Sequence, residues 1–151
     1  MNGIILLLSV IVIWIAVVAG TYQRIFRMPK WFEDPPVSFE RIRRQSKSAK
    51  LFWIPLSLLF IISLLISLVL NWEHPVVRNY IFASIACFGL TGVLSGSYFV
   101  KEVLAFSAMP VTAPKTPELI ARTKFWLRWT TILDVLQLLA VVFVTIGYEH
   151  L

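Results

Sequence analysis

Apolar residues fall in four long blocks along this chain, and polar residues gather between them. Ile4 to Gly20 reads IILLLSVIVIWIAVVAG, and Leu51 to Leu70 reads LFWIPLSLLFIISLLISLVL. The third block runs from Tyr80 to Val100, and the fourth from Trp129 to Gly147. A helix needs about 20 apolar residues to cross the ~30 Å hydrocarbon core of a bilayer, so each block suits one crossing. The pattern predicts spans over about 4–24, 51–70, 79–104 and 118–147, within a single domain covering 1–151. The fold expected is all-α, an integral membrane four-helix bundle with both termini on the non-cytoplasmic side.

The longest polar stretch, Gly20 to Pro55, joins the first two blocks. Pro29 and the Pro35-Pro36 pair rule out one continuous helix, because each removes a donor and restricts the residue before it. An ordered loop or short re-entrant element is expected over Met28 to Val37, with Trp31 and Phe32 resting in the headgroup region. Ser38 is placed to cap a new helix with Glu40 in its first turn. On that helix Phe39 and Ile42 are expected to face lipid, and Arg41, Arg43, Arg44 and Lys47 headgroups and water. It runs straight into the second span, where Pro55 is placed to kink it. Later, Thr116-Pro117-Glu118 combines a cap, a proline at the first helical position and an early acid. The third block is rich in small residues, and Gly92 and Gly96 form a GxxxG that lets a second helix approach closely. Packing within the chain is its expected use, with a docked partner the alternative.

Charge turns these blocks into a topology. The chain is 58% hydrophobic and 15% charged, against about 25% charged in soluble domains, and its mean hydropathy is +0.80. Net charge is +6. Of the fourteen Lys and Arg residues, eight lie in the basic loop 25–50 or just before it, at Arg24, and five follow the third block from Lys101 to Arg128. The turn after the second block holds only Arg78. By the positive-inside rule both basic segments face the cytoplasm, which places the chain in the inner (plasma) membrane as a multi-pass protein. The first block has no basic residue ahead of it and arginines behind it, the reverse of a secretory signal, so it is expected to be a retained span. Basic residues that border apolar spans suit anionic headgroups better than nucleic acid. Cys87 is the sole cysteine, which excludes an internal disulfide and any CxxC redox or zinc motif.

Asp134 is the residue that asks for chemistry. It lies about two turns inside the fourth span, where a carboxylate costs several kcal/mol unless it pairs, is protonated or faces a wet cavity. Thr130, Thr131, Asp134 and Gln137 follow at spacings of three and four, so they share one helix face. Two readings stand side by side. In one, Asp134, Tyr98 and Gln137 are catalytic in a cytoplasm-facing cavity lined by Tyr22, Arg24, Trp31, Lys101, Trp129 and Thr130. In the other, Asp134 is an interhelical clamp, with Arg24, Gln23, Tyr22, Tyr98 and Lys101 as candidate partners. Glu102 beside Lys101 reads as interfacial solvation, Trp126 and Trp129 as an aromatic belt, and Glu33-Asp34 as the acidic shoulder of a turn. His74 and His150 lie outside the spans, which excludes a di-haem bundle. The first span lacks the carboxylate of proton-coupled small drug exporters, and no phosphate-binding loop or G-x-S-x-G is present. No residue pattern assigns a cofactor or a metal.

Several segments carry a resemblance. The GTYQ closing span one, MPKWF…PP…SF, FWIP opening span two, YFVKE closing span three and the Trp-rich last helix together resemble the four-span bacterial membrane proteins related to anthrone oxygenases, a domain-of-unknown-function family. That resemblance covers nearly the whole chain and implies oxidation of an aromatic lipophile. More narrowly, FERIRRQSKSAKLFWIP is similar to the membrane-associated eicosanoid and glutathione metabolism proteins. Glu40, Arg41, Arg43, Arg44 and Pro55 match, while Ser48 and Leu51 replace that family's Asn and Glu. Three functions follow as expectations: an oxygenase-like enzyme, a non-catalytic membrane subunit binding lipid or a partner through the Gly92/Gly96 face, and a glutathione-transferase-like enzyme. The expected partners are the bilayer, a lipophilic small molecule, and further copies of the chain or a larger membrane complex.

Overall fold

The computed structural model describes residues 2–151. Four helical runs cover Gly3–Trp31, Val37–Leu70, Pro75–Ala108 and Pro117–Glu149, each long and apolar enough to cross a membrane. No strand occurs among the described residues. The first run is α1 (Asn2–Tyr22), a π turn (Gln23–Arg27) and the short α2 (Met28–Trp31). A 3-10 turn at Val37–Phe39 leads into α3 (Glu40–Leu70), which continues unbroken through Pro55. The third run is α4 (Pro75–Leu94), a second π turn (Ser95–Phe99) and α5 (Val100–Ala108). The fourth is α6 (Pro117–Trp129) and α7 (Thr131–Glu149), which meet at Thr130. Thr116 caps α6 as expected, its hydroxyl oxygen accepting from the Leu119 N–H at 3.2 Å.

The helices alternate in direction. α7 packs along α4 and α1, α1 along α3, and a thinner α3–α4 contact closes the ring. Inside it lies a core of Leu6, Val10, Ile13, Phe60, Leu64, Ile81, Val141 and Val144. Short polar side chains tie neighbours together within this apolar interior. The Ser9 hydroxyl donates to Ser63 Oγ at 2.8 Å, and Ser84 donates to the Ala140 carbonyl at 2.8 Å. Burying these hydroxyls is cheap only because each is bonded.

A 34-residue helix is about 51 Å long at 1.5 Å per residue, roughly 20 Å more than a hydrocarbon core. At the basic end the runs build a second core, of Trp31, Phe39, Ile42, Phe99, Phe106, Leu119 and Trp126. Phe32 sits among them, 5.4 Å from Phe106 and 5.3 Å from Trp126 between ring centroids. Trp31 is buried and Phe32 packs into the cluster. One expectation is corrected here. Phe39 and Ile42 do not face lipid but are fully buried. The reason is that α5 and α6 extend far enough to cover that face of α3. Ser38 also does something other than cap: its hydroxyl donates to the Trp31 carbonyl at 2.7 Å, closing the proline loop.

Ion pairs and caps lash the basic end. Asp34 accepts from Lys115 at 2.7 Å and Glu33 from Arg41 at 2.8 Å. Glu102 is held by both Nε and Nη2 of Arg122, at 2.6 and 2.7 Å, rather than left to solvent beside Lys101. Arg43 donates to the carbonyls of Ser107 and Met109, at 3.0 and 3.1 Å, so it caps the C-terminus of α5. Arg43 also bonds Glu40, ahead of the apolar run that starts at Leu51, and holds its carboxyl below the usual carboxylate range.

The GxxxG face is open. A Cβ built on Gly89, Gly92 or Gly96 meets nothing within 4 Å, so no helix among the described residues packs there. The close approach occurs instead at Gly147, where a Cβ would come within 3.2 Å of the Tyr80 Cβ. Phe106→Ala is expected to lower unfolding stability in detergent by about 3–5 kcal/mol, as for a large buried aromatic, whereas Gly92→Ala is expected to leave it unchanged. Equal melting temperatures for Phe106→Ala and wild type would refute the second core.

Candidate functional site

α1 brings a glycine, a glutamine and an arginine to one level of the bundle, and α7 answers with a carboxylate and an amide. Arg24 lies in the π turn that follows α1; such turns widen the helix by one residue and re-aim the side chains that follow. Its Nε donates to Asp134 Oδ2. Both side chains are half-buried, at 30% and 23% exposure, so the pair closes α1 against α7 without being fully removed from its surroundings. Beside it, a Cβ on Gly20 would lie 3.4 Å from Gln137 Oε1, 3.5 Å from the Trp53 ring and 3.8 Å from Asp134 Oδ1. These three side chains converge on the α1 backbone at Gly20, at distances that leave room for a Cβ. Trp53 completes the group from α3, its indole N–H donating to Gln23 Oε1 at 3.1 Å.

The other candidates disperse. Tyr98 stands in the second π turn, edge-on to Phe99 and Phe125. Trp31 belongs to the aromatic core and donates to Gln45 Oε1 at 2.9 Å. Thr130 is buried at the α6–α7 joint and donates to the Leu127 carbonyl at 2.8 Å. Trp129 is 49% exposed and tilts against Phe125. Lys101 is exposed. Tyr22 is exposed too, with Phe26 beside its ring and the Arg27 guanidinium 5.9 Å from its centroid. The structure therefore unites Asp134, Gln137 and Arg24, and leaves Tyr98, Trp31, Lys101, Trp129 and Thr130 elsewhere.

An open-sided groove of 920 Å³ lies between α1 and α3, with Trp53 in its wall. Its walls are apolar, among them Ile11, Ile15, Val18, Phe52 and Trp53. Its basic-end mouth carries Tyr22, Gln23, Arg27, Gln45 and Ser48. Asp134 does not line it. Inspection of the carboxylate alone misses this feature. A signal for it exists in spacing: Ile11, Ile15, Val18 and Tyr22 on α1, and Gln45, Ser48, Phe52 on α3, each recur at three and four residues and form one stripe.

Among the described residues no group of three or more His, Cys, Asp or Glu side chains gathers as a metal site. No protein-family model, no curated protein and no solved structure matches this chain. The site is thus defined by its own geometry.

The fit at Gly20 yields a graded test. Gly20→Ala is expected to fold with wild-type stability, because 3.4–3.8 Å is ordinary contact. Gly20→Leu is expected to displace Gln137 and Trp53 and cost about 1–3 kcal/mol, as for overpacking. Thermal denaturation monitored by Trp fluorescence measures both, and a tolerated leucine would disprove the convergence.

Proposed function

We propose that this chain is a non-catalytic, multi-pass membrane protein that binds a lipophilic small molecule sideways, in the groove between α1 and α3. The observation that carries the reading is the direct pairing of Arg24 with Asp134, together with a groove that Asp134 does not line. A carboxylate committed to a guanidinium is a clamp: removing one partner leaves the other charge uncompensated. A volume of 920 Å³ falls in the range of small-molecule sites, and apolar walls with a polar mouth suit a ligand arriving from the bilayer. The basic end with its thirteen Lys and Arg residues is assigned to the cytoplasm, and both termini to the other side, of the inner or plasma membrane.

The oxygenase-like reading has one feature in its favour, since Asp134 keeps 23% side-chain exposure with Gln137 beside it. The resemblance to the anthrone oxygenase-related family implies an aromatic lipophile as substrate, and the depth of Asp134 in its span makes it the acid/base candidate. The two readings separate in a double-mutant cycle. As a clamp, Asp134→Leu and Arg24→Leu each lower stability by about 1–2 kcal/mol, less than the ~3–5 kcal/mol of a fully buried pair because both groups remain partly exposed. The double variant recovers at least half of that loss, while lipophile occupancy, read by native mass spectrometry, stays at the wild-type level. Additive losses, or an Asp134→Asn variant of full stability that ceases to convert a bound anthrone, would defeat the clamp.

A further inference from the structure

The mouth of the groove is built of donors. Two indole N–H groups settle the orientation of its two amides: Trp53 donates to Gln23 Oε1 at 3.1 Å and Trp31 donates to Gln45 Oε1 at 2.9 Å. With each carbonyl oxygen already accepting an indole N–H, Gln23 and Gln45 each present an NH2 group, a double donor, beside that oxygen's second lone pair. Arg27 adds a guanidinium that is always charged. Among the described residues no carboxylate lies within ion-pair distance of it, in contrast to Arg24, Arg41, Arg43, Arg44 and Arg122, which all have one. Its recorded neighbour is the Tyr22 ring. No acidic side chain lines the groove at all. A mouth that gives hydrogen bonds and positive charge, and holds no carboxylate of its own, is complementary to an anionic headgroup.

Below the mouth the character changes within one helical turn. Ile11, Ile15 and Val18 continue the wall for about 18 Å from Ile11 to Gln23, at 1.5 Å per residue. That is close to half the ~30 Å hydrocarbon thickness, the reach of one extended chain in one leaflet. We infer that the groove takes a single-chain lipid carboxylate, its headgroup on Arg27 and the amides of Gln23 and Gln45, its tail along α1 toward Ile11. This deepens the groove-binding reading above and rests on it.

The ligand class can be tested with a brominated probe, because bromine quenches Trp fluorescence on contact and Trp14 and Trp53 line the groove. The full-length protein in phosphatidylcholine nanodiscs is titrated with 9,10-dibromostearate and, separately, with its methyl ester. Saturable quenching by the acid, at least tenfold tighter than by the ester, is expected. Arg27→Gln should bring the acid down to the affinity of the ester without moving the melting temperature. The Trp14→Phe, Trp53→Phe variant should lose most of the saturable quenching. If acid and ester saturate with equal affinity, the groove binds lipophiles but the headgroup assignment is wrong. If neither saturates, the groove-binding reading itself falls.

Discussion

A carboxylate set in the apolar part of a helix obliges another helix to bring it a cation, and that obligation organises this bundle. Asp134 on α7 takes Arg24 from the π turn after α1. To meet, the two helices must sit in one register, and Gln137 and Trp53 close beside them at Gly20. Trp53 then passes the constraint to α3, and its indole fixes Gln23 at the groove wall. Trp53 is thus shared between the groove wall and the group gathered at Gly20.

The two cores divide the remaining work. Within the apolar runs, packing has little hydrophobic driving force in a lipid environment, so close fit and bonded hydroxyls matter more; Ser9–Ser63 and Ser84–Ala140 are of this kind. At the basic end the aromatic cluster is packed as an ordinary hydrophobic core. Its rings meet edge-on or tilted at 5–6.5 Å centroid separations, geometry worth about 0.5–1.5 kcal/mol per pair beyond area. Three salt bridges and the Arg43 cap bind that end from outside. Arg43 and Glu102 thus spend their charge on structure, which leaves Arg27 as the arginine facing the groove.

The four long helices were legible in the sequence because apolar length is a strong signal that needs no neighbour to interpret. Thr116 was legible for a similar reason, since a cap is a local bond. Arg24 stood among the candidate partners of Asp134 by depth alone. What the sequence could not convey is which polar-looking segment would be covered. Phe39, Ile42 and Trp31 sit among lysines and arginines, so local pattern assigns them to an interface, while α5 and α6, some sixty or more residues later, bury them. The GxxxG misleads in the opposite sense: small residues permit a close approach but do not supply a helix to make it.

The two π turns bear on how this chain can be compared with any other. A π turn is what a regular helix becomes when it absorbs one surplus residue, and each extra residue rotates all that follows by about 100° at 3.6 residues per turn. Tyr22 and Met28 flank one such joint, and Leu94 and Val100 the other. Periodicity carried straight across either joint falls out of phase, and Trp31, just beyond the first, ends on a face that the phase of α1 does not foretell. An alignment drawn gap-free through 23–27 or 95–99 would match inward positions to outward ones on everything downstream. The natural place for a one-residue gap in this protein is inside a helix.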